Sequence, residues 1–374
     1  MLTMEFDDEQ LAVQDLARDL GARVLAPAAR AAEEQRGVPR DVWSTLFETG
    51  LTSAAPPEHG GGGVPDAVTF LLAVEALAHG DAGIAMAAIW SGATSLLVSV
   101  AGTSAQQAAL LPALNASSDV RGAVAMFEGF GRAPSEYRTT FSPTPSGRWR
   151  IVGEKVAVPF VDGAIAVVVV GTGALDGRLR AAMLNGPNPG VRVAPSSVNG
   201  RLALDAAPLH RISVDVEVGD EALLGGPASN GAALATAVAR LRLAIGAAAM
   251  GTAARATEYA SAYANERIAF GKPIAAFQGV SFLIAESAIR LEAARLGLWD
   301  AASRLDAGIL DERGVTVALN YATTVAAAVT RDAVQVLGGH GFIRDHPVEL
   351  WYRSAAALSC IDFDPTCSAF EPAL

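Results

Sequence analysis

The spacing of hydrophobic positions changes character twice along the chain. In the first 120 residues apolar side chains recur at helical intervals. A run over 10–35 has its apolar residues on one side of a predicted helix, namely Leu11, Val13, Leu16, Ala17 and Leu20. Between about 120 and 218 short β-branched runs with a period of two are divided by turn residues. From about 229 onward helical spacing returns. The pattern therefore predicts helices, then strands, then helices.

The middle region predicts a small all-β domain. Its six candidate strands fall at 122–127, 149–158, 164–170, 180–184, 191–194 and 211–216. The run over 164–170 is apolar without alternation, which is typical of a central strand that is covered on both faces. We therefore expect one deeply buried strand in this domain.

The last third of the chain predicts long helices packed side by side. Apolar residues recur every seven positions, at Ile284, Leu291, Leu298 and Leu305. This spacing indicates four or five helices in a bundle that a second subunit can extend. The predicted fold class is α+β and multidomain, with an N-terminal α-helical domain at 1–118, a central β-barrel or β-sandwich domain at 119–226, and a C-terminal four-helix bundle at 227–374.

The composition describes a compact, acidic protein. Hydrophobic residues make up 51% of the 374 positions, charged residues 18%, and the formal net charge is −11. Because phosphate neutralisation needs a basic face, a general nucleic-acid binder is excluded. We take 164–171 and 243–254 as the longest uncharged apolar stretches, and both are shorter than the roughly 18 residues that span a bilayer. No membrane insertion is expected.

The N-terminus and the cysteines favour a cytoplasmic location. The first nine residues are acidic, whereas a signal or transit peptide is basic at this place. The two cysteines, Cys360 and Cys367, are too few for a disulfide framework, which indicates a reducing compartment.

Several catalytic motifs are missing from the sequence. It contains no G-x-G-x-x-G between a strand and a helix, no P-loop, no H-E-x-x-H, no C-x-x-C and no G-x-S-x-G. The five histidines are scattered. Rossmann and nucleotide-hydrolase functions are therefore excluded, and no metal site is expected.

Two blocks in the terminal helices carry candidate chemistry. The first reads E-R-I-A-F-G-K-P-I from Glu266, followed by Gln278, and Arg267 there can meet a diphosphate with two hydrogen bonds. A plain turn between helices, capped by Gly271, explains the same residues, and spacing alone favours it. The second block begins at Gln335 and places three glycines in four positions at a helix end, where they allow positive φ and close approach of a ligand. Taken singly, this block is equally consistent with a helix cap.

Together the two blocks resemble the acyl-CoA dehydrogenase family of FAD enzymes. The resemblance rests on E-R-x-x-F-G-K-P-I, then F-Q, then Q-x-x-G-G-x-G-F with P-V-E and an arginine after it, and on P-E-x-G-G-x-G at 57–63. It covers nearly the whole chain. It implies a flavin between the β domain and the bundle, with the adenine-diphosphate part contacted by the neighbouring subunit through Arg267, Phe270, Gln278, Gln335, Gly338 and Gly339.

The resemblance also places the flavin ring and the catalytic groups. Ring contacts are expected from the segment 124–127, including Met126 and Phe127, and from 157–159, including Val158 and Pro159. Counting from the glycine block puts the family's catalytic glutamate on Asp362. A second glutamate position used by some members falls on Leu241, which cannot act. Arg242, next to it, matches an arginine that supports the catalytic carboxylate.

The implied reaction is the α,β-dehydrogenation of an acyl-CoA thioester. A base removes the α-proton while the β-hydrogen leaves as hydride to the flavin, and the base must be dry enough for its pKa to rise toward the operating pH. The sequence departs from the family pattern at the base, because Asp362 is one methylene shorter than glutamate. It also departs near the flavin ring, where a Thr is replaced by Phe127, a Trp by Ala157 and a second Thr by Pro159.

These departures leave three functional hypotheses. The first is an acyl-CoA dehydrogenase with Asp362 as base, working as a homodimer or homotetramer with an electron-transfer flavoprotein or similar acceptor. The second is a degenerate subunit of a heterotetramer that gives interface and FAD contacts to a homologous partner. The third is a flavin oxidase or monooxygenase related to nitroalkane oxidase, since such relatives use an aspartate at this place.

Overall fold

The N-terminal region is built from six helices. The computed structural model describes residues 5–50, 52–129, 134–194 and 201–361. The helices are α1 (Asp8–Leu20), α2 (Ala26–Gln35), α3 (Arg40–Glu48), α4 (Ala67–Gly80), α5 (Ala82–Ala101) and α6 (Ser104–Leu114), and a π-helical turn (Gly21–Leu25) joins α1 to α2. Asp7 begins α1 through a reciprocal capping box with Gln10. The helical prediction for 10–35 is therefore confirmed.

Helix α4 packs against the π-helical turn through two glycines. A Cβ on Gly80 would lie 2.2 Å from the carbonyl oxygen of Gly21, and one on Gly21 would lie 2.7 Å from that of Ala76. The backbones approach this closely only because neither glycine carries a side chain.

The expectation about apolar stretches is wrong. Helices Ala82–Ala101 and Ala232–Glu266 are long and apolar enough to cross a bilayer by length and composition, and the first of them has no charged residue. Serine, threonine and glycine interrupt its apolar residues, so the sequence does not read as one continuous apolar stretch. Within the most apolar 18-residue windows of the two helices, 83% and 78% of residues are buried in protein, so both are core helices of this fold.

The central region forms one mixed sheet of seven strands. These are β1 (Gly122–Ala125), β2 (Thr140–Pro143), β3 (Trp149–Pro159), β4 (Ala166–Gly173), β5 (Leu179–Asn185), β6 (Val191–Val193) and β7 (Leu209–Val218). The strand order is β1-β4-β2-β3-β7-β6, with β5 added along β4. All six predicted strands are present, and β4 is buried along its whole length, as predicted. The sequence pattern missed β2.

In the described part of the C-terminal region, up to residue 361, four helices form a bundle. They are α7 (Ala232–Glu266), α8 (Gln278–Asp306), α9 (Glu312–Leu337) and α10 (Val348–Leu358), and a short hairpin of β8 (Ile268–Ala269) and β9 (Lys272–Pro273) separates α7 from α8. Leu291, Leu298 and Leu305 are buried on one face of α8, as their spacing predicts. The predicted domain boundaries fall in the connections between α6 and β1 and between β7 and α7, and the division itself stays a prediction.

One hydrophobic core joins the three regions. It includes Leu72 of α4, Val168 of β4 and Ile245 of α7, all buried. Because α4 and α5 pack directly on α7, the N-terminal helices and the bundle enclose the inner face of the sheet. Residues of the inner strands β3 and β7 face α10 across a cavity.

Candidate active site

The main cavity lies between the sheet and α10. Its volume is about 980 Å³, and its wall is mostly apolar. Its lining comes from 128–129 after β1, from Arg138, from part of β3, from the loop 201–204, from the start of β7, and from α10 with the turn after it. Side chains from α10 and this turn are Tyr352, Arg353, Ala356, Ala357, Cys360 and Ile361.

A β-bulge in β3 shapes one wall of this cavity. Lys155 pairs with Ile212 and Val158 with His210, so β3 holds one more residue than β7 between these pairs. The extra residue turns Val156 and Ala157 toward the cavity. Ala157 has φ 50° and Leu204, on the opposite wall, has φ 58°. Non-glycine residues adopt such angles at a cost, and they concentrate at functional sites.

A buried ion pair supports the wall next to the bulge. The Lys155 ammonium lies 2.8 Å from Glu128 Oε1, with 0% and 2% of the two side chains exposed, and it also donates to the Met126 carbonyl at 3.0 Å. Burial raises the pKa of Glu128, but the charge and hydrogen bond of Lys155 and the backbone N–H of Arg138 outweigh it and hold that pKa below its usual value. Glu128 is therefore a fixed anion and is unsuited to act as a general base near neutral pH.

The four residues predicted to contact the flavin ring lie just behind the cavity wall. The side chains of Met126, Phe127, Val158 and Pro159 are buried, and none of them lines the cavity. Their neighbours Glu128, Gly129, Val156 and Ala157 line it instead. The prediction of backbone contacts from these two segments stays a prediction.

Of the two predicted catalytic residues, Arg242 lies within the described residues and Asp362 lies outside them. Arg242 is 3% exposed within α7, and its Nη2 donates to the Thr316 hydroxyl at 3.2 Å. It does not line the cavity, and Leu241 beside it is packed in the core. Asp362 lies outside the described residues. Ile361, directly before it, lines the cavity.

The six residues assigned to a neighbour's cofactor lie on the surface, away from the cavity. Arg267, Gln278, Gln335, Gly338 and Gly339 are exposed, and Phe270 is 96% exposed with φ 51°. A hydrogen bond of 2.7 Å between the Tyr263 hydroxyl and His340 Nδ1 ties the end of α7 to the glycine turn, so the two sequence blocks lie side by side. None of the six residues lines the main cavity, and their assignment to a neighbour's cofactor stays a prediction.

The residues at both places fit the chemistry of FAD. Gly338 has φ 59°, as predicted, and a Cβ at Gly338, Gly339 or Gly271 would meet no atom within 4 Å, so a ligand can approach the backbone there. The Arg267 guanidinium beside them suits a diphosphate. The cavity offers apolar walls and the bulged peptide groups of β3 to a flat ring.

Sequence reasoning missed two parts of the cavity. The loop 201–204 carries no periodic pattern and no motif, so nothing marked it. Cys360 is exposed and lines the cavity, whereas its solitary place in the sequence gave no signal of that. Among the described residues, no three His, Cys, Asp or Glu side chains are placed to hold a metal ion.

An α-helical domain, a mixed sheet and a helical bundle around one apolar cavity define the class as an acyl-CoA dehydrogenase-type fold. The family models for the N-terminal and C-terminal domains of acyl-CoA dehydrogenase match residues 7–118 and 231–362. An acyl-CoA dehydrogenase of Bacillus subtilis is 30% identical over 358 residues, which cover 94% of this chain and 93% of the relative. The chain therefore belongs to the acyl-CoA dehydrogenase family.

Solved structures agree with this assignment. Butyryl-CoA dehydrogenase from Megasphaera elsdenii matches with a TM-score of 0.84 and 25% identity over 98% of both chains. A glutaryl-CoA dehydrogenase from Mycobacterium smegmatis in complex with FADH2 matches with a TM-score of 0.83 and 20% identity, over 97% of this chain and 93% of that chain, and shows the fold alone. At the level of the family, the expected fold class, the flavin oxidoreductase class and FAD as cofactor are confirmed.

Proposed function

We propose that this chain catalyses α,β-dehydrogenation of an acyl-CoA thioester, with Asp362 as the base that removes the α-proton. The observation that carries the proposal is the apolar cavity of about 980 Å³ between the sheet and α10, whose lining extends along the chain to Ile361. FAD, when bound, accepts the hydride that leaves Cβ. The apolar walls from Ala203, Leu204 and Ala356 suit an acyl chain and keep water from the reacting carbons.

We further propose that the chain works as a homo-oligomer in which each glycine turn serves the neighbour's cofactor. The support is that Arg267, Phe270 and Gly338 are exposed and do not line the main cavity of their own chain. Helix α8 also exposes an apolar stripe, here called the α8 stripe, of Phe282, Ile289 and Leu296, which are 59%, 69% and 52% exposed. Their seven-residue spacing is that of a helix covered on this side by another copy of the chain. The proposed location is the cytoplasm, and the proposed acceptor is an electron-transfer flavoprotein.

The degenerate-subunit hypothesis has less support. A chain that only serves a partner has no need of its own cavity, and this chain keeps one of about 980 Å³.

The test begins with the visible spectrum and the ratio of FAD to chain in the purified protein. Under anaerobic conditions, a panel of short, long, branched and aromatic acyl-CoAs is added, and we expect at least one to bleach the flavin. Asp362→Asn should abolish bleaching while FAD stays bound, because an amide cannot accept the proton. Asp364→Asn, two positions on, is the matched control and should bleach normally.

Each other outcome contradicts part of the proposal. If no acyl-CoA bleaches the flavin, the proposed dehydrogenase activity is wrong. If the chain takes up FAD only with a homologous partner, the result supports the heteromeric alternative. Rapid oxygen consumption with a substrate that is not a CoA thioester supports the oxidase. Loss of bleaching in Asp364→Asn instead of Asp362→Asn moves the base by two residues.

A further inference from the structure

Four charged side chains form a closed ring between α2 and α10, here called the charge ring. Arg353 lies 2.6 Å from Glu33 Oε1 through Nη1 and 2.7 Å from Glu349 Oε2 through Nη2. Arg30 lies 3.0 Å from the second oxygen of Glu33 and also contacts the second oxygen of Glu349. Each carboxylate therefore bridges both guanidinium groups, and each guanidinium bridges both carboxylates.

Arg353 extends the charge ring to the third domain. Its Nη1 also donates to the backbone carbonyl of Leu202, in the loop that leads to β7. One side chain thus ties α2 of the N-terminal domain, α10 of the bundle and the 201–204 loop of the β domain. Arginine suits this task because its planar guanidinium holds several donors at fixed angles.

The charges of Glu33 and Arg353 are stabilised by their contacts within the ring. Only 13% to 30% of each side chain is exposed, so solvent screens the contacts weakly. Burial raises the pKa of Glu33, but hydrogen bonds and charge from Arg353 and Arg30 outweigh it and keep that pKa below its usual value. Burial lowers the pKa of Arg353, and Glu33 and Glu349 more than offset this. The ion pair between Glu33 and Arg353 therefore stays charged near neutral pH.

The charge ring stands directly behind the candidate active site. Leu202, Tyr352 and Arg353 line the main cavity and also a second one of about 450 Å³ beside the glycine turn, so they form the partition between the two. On the same helix Ala356 and Ala357 line the main cavity, and the chain then runs through Ile361 to Asp362. A rotation of α10 would therefore move this wall of the cavity.

We propose that Arg353 is a positioning residue whose charge ring sets the distance between α10 and the 201–204 loop, and thereby holds the α10 wall of the cavity in the position that aligns the substrate for reaction. The inference rests on the proposed function for its catalytic part. Misplacing a reacting group by about 1 Å can slow a reaction by roughly a hundredfold. The ring acts on alignment, so its loss should lower kcat more than it raises KM.

Adjacent residues on α2 offer a matched pair of variants. Glu33→Gln removes the charge that joins Arg353 to α2 and keeps the side-chain size. Glu34→Gln is the control, because Glu34 is 67% exposed and forms only a surface pair with Arg344 at 3.8 Å. We expect kcat to fall roughly tenfold in Glu33→Gln with KM within about twofold, while the FAD content and Glu34→Gln are unchanged. Unchanged kcat in Glu33→Gln overturns the positioning role.

Amide hydrogen exchange supplies a readout that needs no turnover. We expect exchange over 348–358 and 201–204 to rise in Glu33→Gln and to match the unaltered protein in Glu34→Gln. Equal exchange in both variants overturns the inference. If no acyl-CoA reacts with the unaltered protein, the proposed function fails, and hydrogen exchange still decides whether the charge ring holds α10.

A second variant covers the case in which Glu33→Gln does not fold. Arg353→Lys keeps the charge but reaches fewer of the three acceptors at once, so we expect an intermediate kcat and intermediate exchange over 348–358. A purely structural role predicts a lower melting temperature with kcat per folded enzyme unchanged, and that result contradicts the proposal.

Discussion

Asp81 shows how one buried residue makes stability depend on pH. It begins α5, accepts a hydrogen bond from the Ile84 N–H at 2.7 Å and is 5% exposed. Burial raises its pKa to about 6, even though the N–H groups of Ile84 and Gly83 pull it down. The folded chain therefore binds this proton more tightly than the unfolded chain, whose pKa is 3.8. Its contribution to stability is present below about pH 4 and is lost as pH rises toward 6.

Replacing Asp81 by Asn should remove this loss, because an amide does not ionise and still offers an oxygen to the Ile84 N–H. The free energy of unfolding of Asp81→Asn minus that of the unaltered protein should grow by about 1 kcal/mol between pH 5 and pH 7. Chemical denaturation at pH 5, 6 and 7 measures it.

Asp66→Asn is the control for this measurement. Asp66 begins α4, and hydrogen bonds from Thr69 outweigh burial and hold its pKa below the usual value. Its difference from the unaltered protein should stay constant between pH 5 and 7. A constant difference for Asp81→Asn as well would show that Asp81 ionises normally in the folded chain.

At the scale of elements, two glycines with opposite surroundings give a paired prediction. Gly80→Ala puts a Cβ 2.2 Å from a backbone oxygen that cannot yield, so α4 must move from the π-helical turn, at a cost of about 1–3 kcal/mol. Gly297→Ala, within α8, meets no atom within 4 Å and should gain about 0.5–1 kcal/mol from lower backbone entropy in the unfolded chain. Urea unfolding compares them, and equal stabilities would contradict the close packing of α4.

The sequence predicts a helix or strand well where the hydrophobic pattern lies within that element itself. Leu291 and Leu298 repeat at seven and are buried, and β4 begins with five consecutive apolar residues that are buried as well. Strand β2 has only four residues and ends in Pro143, so its strand state depends on pairing with β3 and β4 rather than on its own sequence. The α8 stripe has the same seven-residue spacing as the buried face, which makes the two faces hard to separate by pattern alone.

The candidate site was less predictable than the elements. The resemblance located the residues of both sequence blocks, and the structure brings these blocks side by side through Tyr263 and His340. The cavity wall could not be read from the sequence, because Val156, Leu204 and Ala356 come from distant parts of the chain and meet only through tertiary packing. Likewise, the contact of Glu33 with Arg353 joins residues far apart in the chain, and no periodicity encodes it.

At the scale of the whole molecule, the α8 stripe makes association testable. Ile289→Glu places a charge in the centre of the proposed contact between copies, so we expect a smaller species in analytical ultracentrifugation and weaker retention of FAD. Leu175→Glu is the control, because Leu175 is 83% exposed in the turn between β4 and β5, outside the bundle. An Ile289→Glu protein of unchanged size would place the contact elsewhere.

The bulge in β3 interrupts the regular pairing with β7, and its residues line the cavity. Since side chains alternate along a strand, the single surplus residue between Lys155 and Val158 reverses which face the following residues present. Removing one residue there would restore an unbroken ladder with β7 and flatten the floor of the cleft. Deletion of one residue there should therefore reduce flavin bleaching by acyl-CoA more than it reduces stability.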